Sequence, residues 1–284
     1  QYSSLEVNLV LFRPCKQFAQ EKNIPTNMLN HQNFTEIAVN ISFLITFEVI
    51  LQMTNQQTAI ITGGSKGIGR ACVQKFLEEN FTVFSCARDI APFQDLQQAF
   101  PKRLYPSICD VSKKNELTNW LNLVKSQTNQ IDVLINNAGV FFPGNLMDES
   151  SGHLEKMIET NLYSTYHTCR EIVPIMKNQK NGHIFNMCSI AALQAYPQGG
   201  SYSISKFAQY GFTKNLRYEL KNDNIKVSAV LPGATHTDSW IESTLPKERF
   251  IQSKDLARLI WSCFQNNEFA VVEDLIVRPQ LGDV

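Results

Sequence analysis

The chain has 284 residues, of which 43% are hydrophobic and 18% charged. That supplies a full apolar core and excludes a disordered chain, and 13 glycines are too few for a collagen-like repeat. Lys and Arg total 26 and so do Asp and Glu, so no strongly basic surface is implied and nucleic acid is not an expected partner.

Residues 1–52 contain no glycine, and all 13 glycines lie at or after Gly63. Met53 stands five residues before an apolar run that opens at Thr58. We therefore divide the chain into an N-terminal extension, 1–52, and a single catalytic domain, 53–284. Within the extension, Ile37, Val39, Ile41, Phe43, Ile45, Phe47 and Val49 alternate with smaller or polar residues, a period that fits a half-buried strand. Its readings are upstream sequence translated in frame, a loosely attached tail, an accessory strand or oligomer contact, or a membrane-associated segment. A basic leader region and a small-residue cleavage site are missing, and Asn40 and Glu48 interrupt the apolar run, so neither a signal peptide nor a spanning helix is expected.

From residue 57 the pattern is regular. Strand-like runs fall at 58–62, 81–86, 104–108, 131–135, 183–188, 225–231 and 269–277. Helix-like stretches separate them at 67–79, 92–99, 112–128, 148–178, 201–222 and 254–265. This alternation predicts an α/β fold: a Rossmann-type, doubly wound parallel sheet of about seven strands with helices on both faces. Cysteines 15, 72, 86, 109, 169, 188 and 263 show no CxxC pair and no zinc spacing. A disulfide framework and a metal site are not expected, and a reducing, cytoplasmic setting fits best.

The first strand runs into Thr62-Gly63-Gly64-Ser65-Lys66-Gly67-Ile68-Gly69, followed by an apolar-periodic helix. Gly63 permits the tight exit, Gly67 lets backbone approach a pyrophosphate, and Gly69 lets the helix pack close to the sheet. The helix N-terminus offers free N–H groups and a positive dipole end to phosphate. Strand, glycine loop and helix in that order predict dinucleotide binding. The second strand ends in Ala87-Arg88-Asp89. A guanidinium at that tip suits a 2′-phosphate, with Lys66 as a second positive charge, so NADP(H) is expected in preference to NAD(H). Asp89 keeps NAD open, should it be the true tip residue.

Tyr202 and Lys206 stand at i, i+4 on a helix and so share a face. A phenol is a poor acid–base group at neutral pH, and a neighbouring ammonium would lower its pKa towards working range. Ser189 ends the strand before them and could hydrogen-bond a substrate carbonyl oxygen. With these in place the ordered motifs can be set side by side. They are the TGxxxGxG loop at 62–69, Asp110-Val111 after the third strand, and Asn136-Asn137-Ala138-Gly139 after the fourth. Asn161, Ser189, Tyr202 with Lys206, Pro232-Gly233 and Thr237 follow. Over residues 56–284 the chain resembles a classical short-chain dehydrogenase/reductase.

The resemblance implies roles. Tyr202 would be the general acid in reduction and the base in oxidation, Ser189 would polarise the carbonyl, and Lys206 would lower the Tyr202 pKa and hold the nicotinamide ribose. Asn161 would hold a water in a proton relay behind Lys206. Asp110 and Val111 would meet adenine, while Asn137, Ala138 and Gly139 would line the central cleft. Ser65, Ile68 and their glycine neighbours would cradle the pyrophosphate, and Pro232, Gly233 and Thr237 would hold the nicotinamide end. The expected substrate is a small carbonyl or alcohol, with reduction the favoured direction, and a homodimer or homotetramer is implied. Cys188 replaces a serine common in relatives and is expected to be small and buried. His236 is expected to be a surface turn residue. Trp240, Ile241, Leu245 and Phe250 would form a short, partly apolar lid over an open cleft. The rival readings are a non-catalytic NADP-binding regulator, an NAD-dependent alcohol dehydrogenase, and a membrane-associated or complex-bound enzyme that uses residues 1–52.

Overall fold

Thr58–Thr62 forms strand β1, with all five residues buried. A strand covered on both faces reads as a continuous run rather than an alternating one. The computed structural model describes residues 56–237, 243–266 and 269–283. Six strands follow β1: β2 (Thr82–Ala87), β3 (Leu104–Ile108), β4 (Val133–Asn136), β5 (Gly182–Met187), β6 (Ile225–Pro232) and β7 (Asp274–Val277). They make one seven-stranded sheet in the order β3-β2-β1-β4-β5-β6-β7, with every neighbouring pair parallel. In register, Ile60 lies between Phe84 of β2 and Leu134 of β4.

The helices are α1 (Gly67–Glu78), α2 (Gln94–Ala99), α3 (Lys114–Gln127), α4 (His153–Met157), α5 (Ser164–Gln179), α6 (Gly200–Leu220) and α7 (Ser253–Phe264). Alternate side chains of β1 divide between two cores. Ala59 and Ile61 pack with Phe76 and Leu77 of α1 and Ile260 of α7. Ile60 faces the other way, with Leu121 of α3, Ile172 of α5 and Leu216 of α6. Each such side chain contributes about 1.5–3 kcal/mol on burial, so a one-residue slip of β1 would exchange both sets at once. The strand order reverses between β1 and β4, and that switch point opens a crevice at the carboxyl ends of the strands.

Several predicted bounds move. The helix expected at 148–178 begins at His153 and carries a π-helical segment, Ile158–Tyr163, between α4 and α5. A π segment keeps a near-helical apolar period, so periodicity alone does not separate it from an α-helix. The last strand is 274–277 rather than 269–277, because residues 269–273 form no strand pairs. The extension 1–52, with its expected strand at 37–49, lies outside the described residues, as do Trp240 and Ile241 of the expected lid. Phe250 of that lid is buried at 5% exposure, packed edge-on to His236 at 6.1 Å, and so belongs to the core rather than to a cover. His236 is exposed, in a turn where its N–H donates to Ile251 O at 2.9 Å.

Candidate active site

The loop after β1 enters α1 with Gly67 at φ +55°, a left-handed conformation that favours glycine. A Cβ on Gly69 would lie 2.2 Å from the Gly63 carbonyl oxygen, so only glycine permits this close entry of the helix. No side chain caps the start of α1, and no acidic residue stands in its first turn. Its N–H groups are therefore open to an anion. Asn137 braces this loop from the end of β4. Its Nδ2 donates to Thr62 O at 3.0 Å and to Gly63 O at 2.9 Å. Thr62 Oγ1 accepts in return from Asn137 N at 3.0 Å and Ala138 N at 3.1 Å. Thr62 is thus part of the site, although the sequence reading gives it no role beyond ending the first strand and opening the TGxxxGxG motif. Thr237 closes over the loop from β6: a Cβ on Gly67 would meet its Cγ2 at 3.1 Å.

Arg88 is exposed just past the carboxyl end of β2 and is engaged by no hydrogen bond or ion pair among the described residues. Asp89 Oδ1 accepts from Ala91 N at 2.9 Å, a local turn bond. Asp110 Oδ1 accepts from Ser112 N at 3.0 Å and from Ser112 Oγ at 2.8 Å, which fixes the turn after β3 beside the buried Val111. Lys66 and Ser65 lie on the glycine loop, Lys66 exposed and Ser65 half-buried.

The reactive groups come from β5, α6 and the π segment. Ser189 caps the turn after β5: its Oγ accepts from Ala191 N at 3.1 Å. Ser203 holds that turn to α6 by donating to Ala191 O at 2.7 Å. Tyr202 packs edge-on against Phe141 at 4.8 Å. Burial pushes its phenol well above the usual range, and a hydrogen bond with the Ser189 hydroxyl pulls it back. Lys206 is buried at 4% exposure, with Nζ 5.7 Å from the Tyr202 ring centroid. Burial brings its ammonium down to about 8, against a small opposing pull from Cys188. Burial thus shifts both groups towards their neutral forms, and the Ser189 hydroxyl opposes that shift at the phenol.

Asn161 is fully buried in the π segment. Its Oδ1 accepts from Val140 N at 2.8 Å, and its Nδ2 donates to Val140 O at 3.0 Å and Ser205 Oγ at 2.9 Å. The side chain pins the loop after β4 to the reactive helix. Cys188 is buried, its thiol pushed up to about 11 by desolvation. Ile68, Asn137, Gly139, Ser189, Tyr202, Lys206, Pro232, Gly233 and Thr237 all line one cleft of about 660 Å³, so glycine loop and reactive groups share a single opening. Its lining is mainly apolar and includes Phe141, Ile190, Ala191 and Pro197, with Tyr196 and Asp283 among the polar groups. Asp283 reaches it from the chain's tail, held in an ion pair by Arg278. No local sequence signal marks Asp283, because only the return of the tail past Gly233 brings it there. Among the described residues, no group of three or more His, Cys, Asp or Glu side chains is placed to hold a metal.

Comparison with known proteins matches residues 57–247 to the family model described as short chain dehydrogenase. The 3alpha-hydroxysteroid dehydrogenase of Mediterraneibacter gnavus is 33% identical over 197 residues, covering 66% of this chain and 78% of that protein. The 3-oxoacyl-[acyl-carrier-protein] reductase FabG of Chlamydia trachomatis is 32% identical over 186 residues, covering 64% of this chain and 75% of the relative. Among solved structures, ElxO with NADP bound superposes with a TM-score of 0.72 at 26% identity, covering 79% of this chain and 98% of that one.

Proposed function

Since the chain belongs to the short-chain dehydrogenase/reductase family of oxidoreductases, we propose that it is an NADP(H)-dependent carbonyl reductase. The observation that carries this reading is the single cleft in which the glycine loop, Ser189, Tyr202 and Lys206 meet. The residues present fit such a cofactor. The Gly67–Gly69 loop leaves a cradle that a Cβ would fill, and α1 presents an uncapped N-terminus. Arg88 stands ready at the strand tip, while Asp89, the one acid that could favour NAD, is engaged in its own turn. A bound ElxO relative supports the choice of NADP.

When bound, the nicotinamide supplies or accepts the hydride. The chain's own groups do the rest. The Ser189 hydroxyl orients the carbonyl oxygen, and the Tyr202 phenol gives it a proton in reduction or takes one in oxidation. The Lys206 ammonium lies behind the phenol and, in the loaded cleft, stabilises the phenolate left after proton donation. Asn161 fixes the loop that carries Gly139 and Val140 against α6. The largely apolar wall of the cleft favours a ketone, aldehyde or 3-oxoacyl group on an apolar body. Ile204, Phe207 and Tyr166 expose apolar surface on α5 and α6, which suits pairing of two copies into a dimer or tetramer. The described cysteines are all free thiols, in keeping with a reducing, cytoplasmic setting. No helix among the described residues is long and apolar enough to cross a membrane.

The test is transfer of label from NADPH deuterated at nicotinamide C4 to the carbonyl carbon of the product alcohol, read by mass spectrometry. Deuterium in the product supports the assignment. Tight NADPH binding with no transfer to any ketone, aldehyde or 3-oxoacyl thioester would move it to a non-catalytic binding protein.

A further inference from the structure

Gln209 lies three residues past Lys206 on α6 and is wholly buried. That spacing places the two side chains on one face of the helix. Gln209 Oε1 accepts from Lys206 Nζ at 2.9 Å, and Gln209 Nε2 donates to Thr165 Oγ1 of α5 at 2.9 Å. Thr165 Oγ1 donates in turn to the backbone carbonyl of Asn161 at 3.1 Å. Lys206 Nζ also donates to Met187 O at 2.7 Å. Two of the three ammonium hydrogens are therefore committed to the interior, and one is left for the cleft.

A buried cation without acceptors is costly, so these two oxygens decide whether Lys206 keeps its charge. The titratable groups that face it are Tyr202, on its own helix, and Cys188, at the end of β5. Thr165 and Asn161 face the bridge from α5 and the π segment, and Gly139 approaches from the loop after β4; none of these carries charge. Met187 offers only a backbone oxygen that every residue possesses, whereas Gln209 is a side chain chosen for the task. An amide accepts at its oxygen and donates at its nitrogen, so the bridge orients the ammonium and does not pass a proton onward.

We propose that Gln209 is a positioning residue, which clamps the Lys206 ammonium against β5 and ties it through the Thr165 hydroxyl to the backbone carbonyl of Asn161. The proposal rests on the reading of Lys206 as part of the reactive centre.

Two near-isosteric variants test it. Gln209→Leu removes the acceptor, and Gln209→Glu replaces it with a charged one. The direct readout is the titration of Lys206 Nζ by NMR in protein with nitrogen-labelled lysine, cofactor-free and with NADPH. Gln209→Leu should lower the midpoint by about one unit, a tenfold change, and Gln209→Glu should raise it by at least about as much. The basic limbs of the NADPH dissociation constant and of turnover should follow in the same opposed directions. A general loosening of the core would move both variants the same way. An unmoved midpoint in both, or a shift in one common direction, overturns the proposal. Should Gln209→Leu fail to fold, the rise in Gln209→Glu decides alone. Absence of turnover with every carbonyl would defeat the functional reading, and the cofactor-free titration would still judge the clamp.

Discussion

The carboxylate of Asp89 accepts the Ala91 N–H at 2.9 Å, while Arg88, its neighbour, is held by no partner among the described residues. The acid that could grip a ribose hydroxyl has one oxygen committed to its own turn, and the cation that could grip a 2′-phosphate is open. Arg88→Ala should therefore weaken NADPH binding by about ten- to a hundredfold, the worth of a charge-assisted hydrogen bond or two, and leave NADH nearly unchanged. Fluorescence titration with both cofactors checks this. Equal weakening of the two would remove the 2′-phosphate from the account.

Asn137 holds the glycine loop through Thr62 O and Gly63 O. Asn137→Ala breaks both bonds and leaves two carbonyls unmatched. A loss of about 1–3 kcal/mol in unfolding free energy is expected, together with weaker binding of both cofactors alike. Urea unfolding measured beside cofactor binding reads both effects, and a discriminating loss of NADPH alone would contradict the bracing role.

The Ser189 hydroxyl is the group that draws the Tyr202 phenol down against burial. Its removal in Ser189→Ala should let the phenol rise further. A stronger hold on the proton makes Tyr202 a weaker acid, so reductive turnover should fall by about a hundredfold. The high-pH limb that reports phenol ionisation should move to higher pH. A limb that moves to lower pH would reverse the sign of this contact.

His183 is buried on β5 with Nε2 2.8 Å from Ser228 Oγ, and burial brings its imidazole down to about 3. The unfolded chain takes up this proton near the ordinary value of about 6.5, while the folded chain stays neutral to about 3. Between those limits the unfolded state binds more protons, so stability is full above about 6.5 and falls as pH drops. The loss from this group is about 1.4 kcal/mol for each pH unit below 6.5. His183→Asn should flatten the stability–pH slope by about one proton over that window, read by urea unfolding at a series of pH values. An unchanged slope would rule His183 out as the source.

Much of this was legible in the chain. The buried run Thr58–Thr62, the glycine loop and the Tyr202/Lys206 pair each announce themselves by residue type at short spacing, because their geometry is local. What was not legible depends on contacts between distant segments. Gln209 is an ordinary polar residue until α5 brings Thr165 beside it. Asn161 could be placed on the long helix, but not in a π segment, since the two share a period over one turn. Phe250 reads as a lid residue beside Trp240 and Ile241, yet the pairing of Thr235 with Ile251 draws it into the core. The relation of Lys206 to Tyr202 was expected from charge alone. Burial, which no local pattern reports, raises the phenol, and the Ser189 hydroxyl opposes it.

The central claim is that Tyr202 moves the proton in a carbonyl reduction, and one comparison tests it most directly. NADPH oxidation is followed with a panel of ketones, aldehydes and 3-oxoacyl thioesters for the wild type and Tyr202→Phe, with the NADPH dissociation constant measured for both. The account expects turnover with at least one carbonyl, a loss of about a hundredfold or more in Tyr202→Phe, and unchanged NADPH binding. A Tyr202→Phe protein that turns over the same carbonyl at the wild-type rate would contradict it.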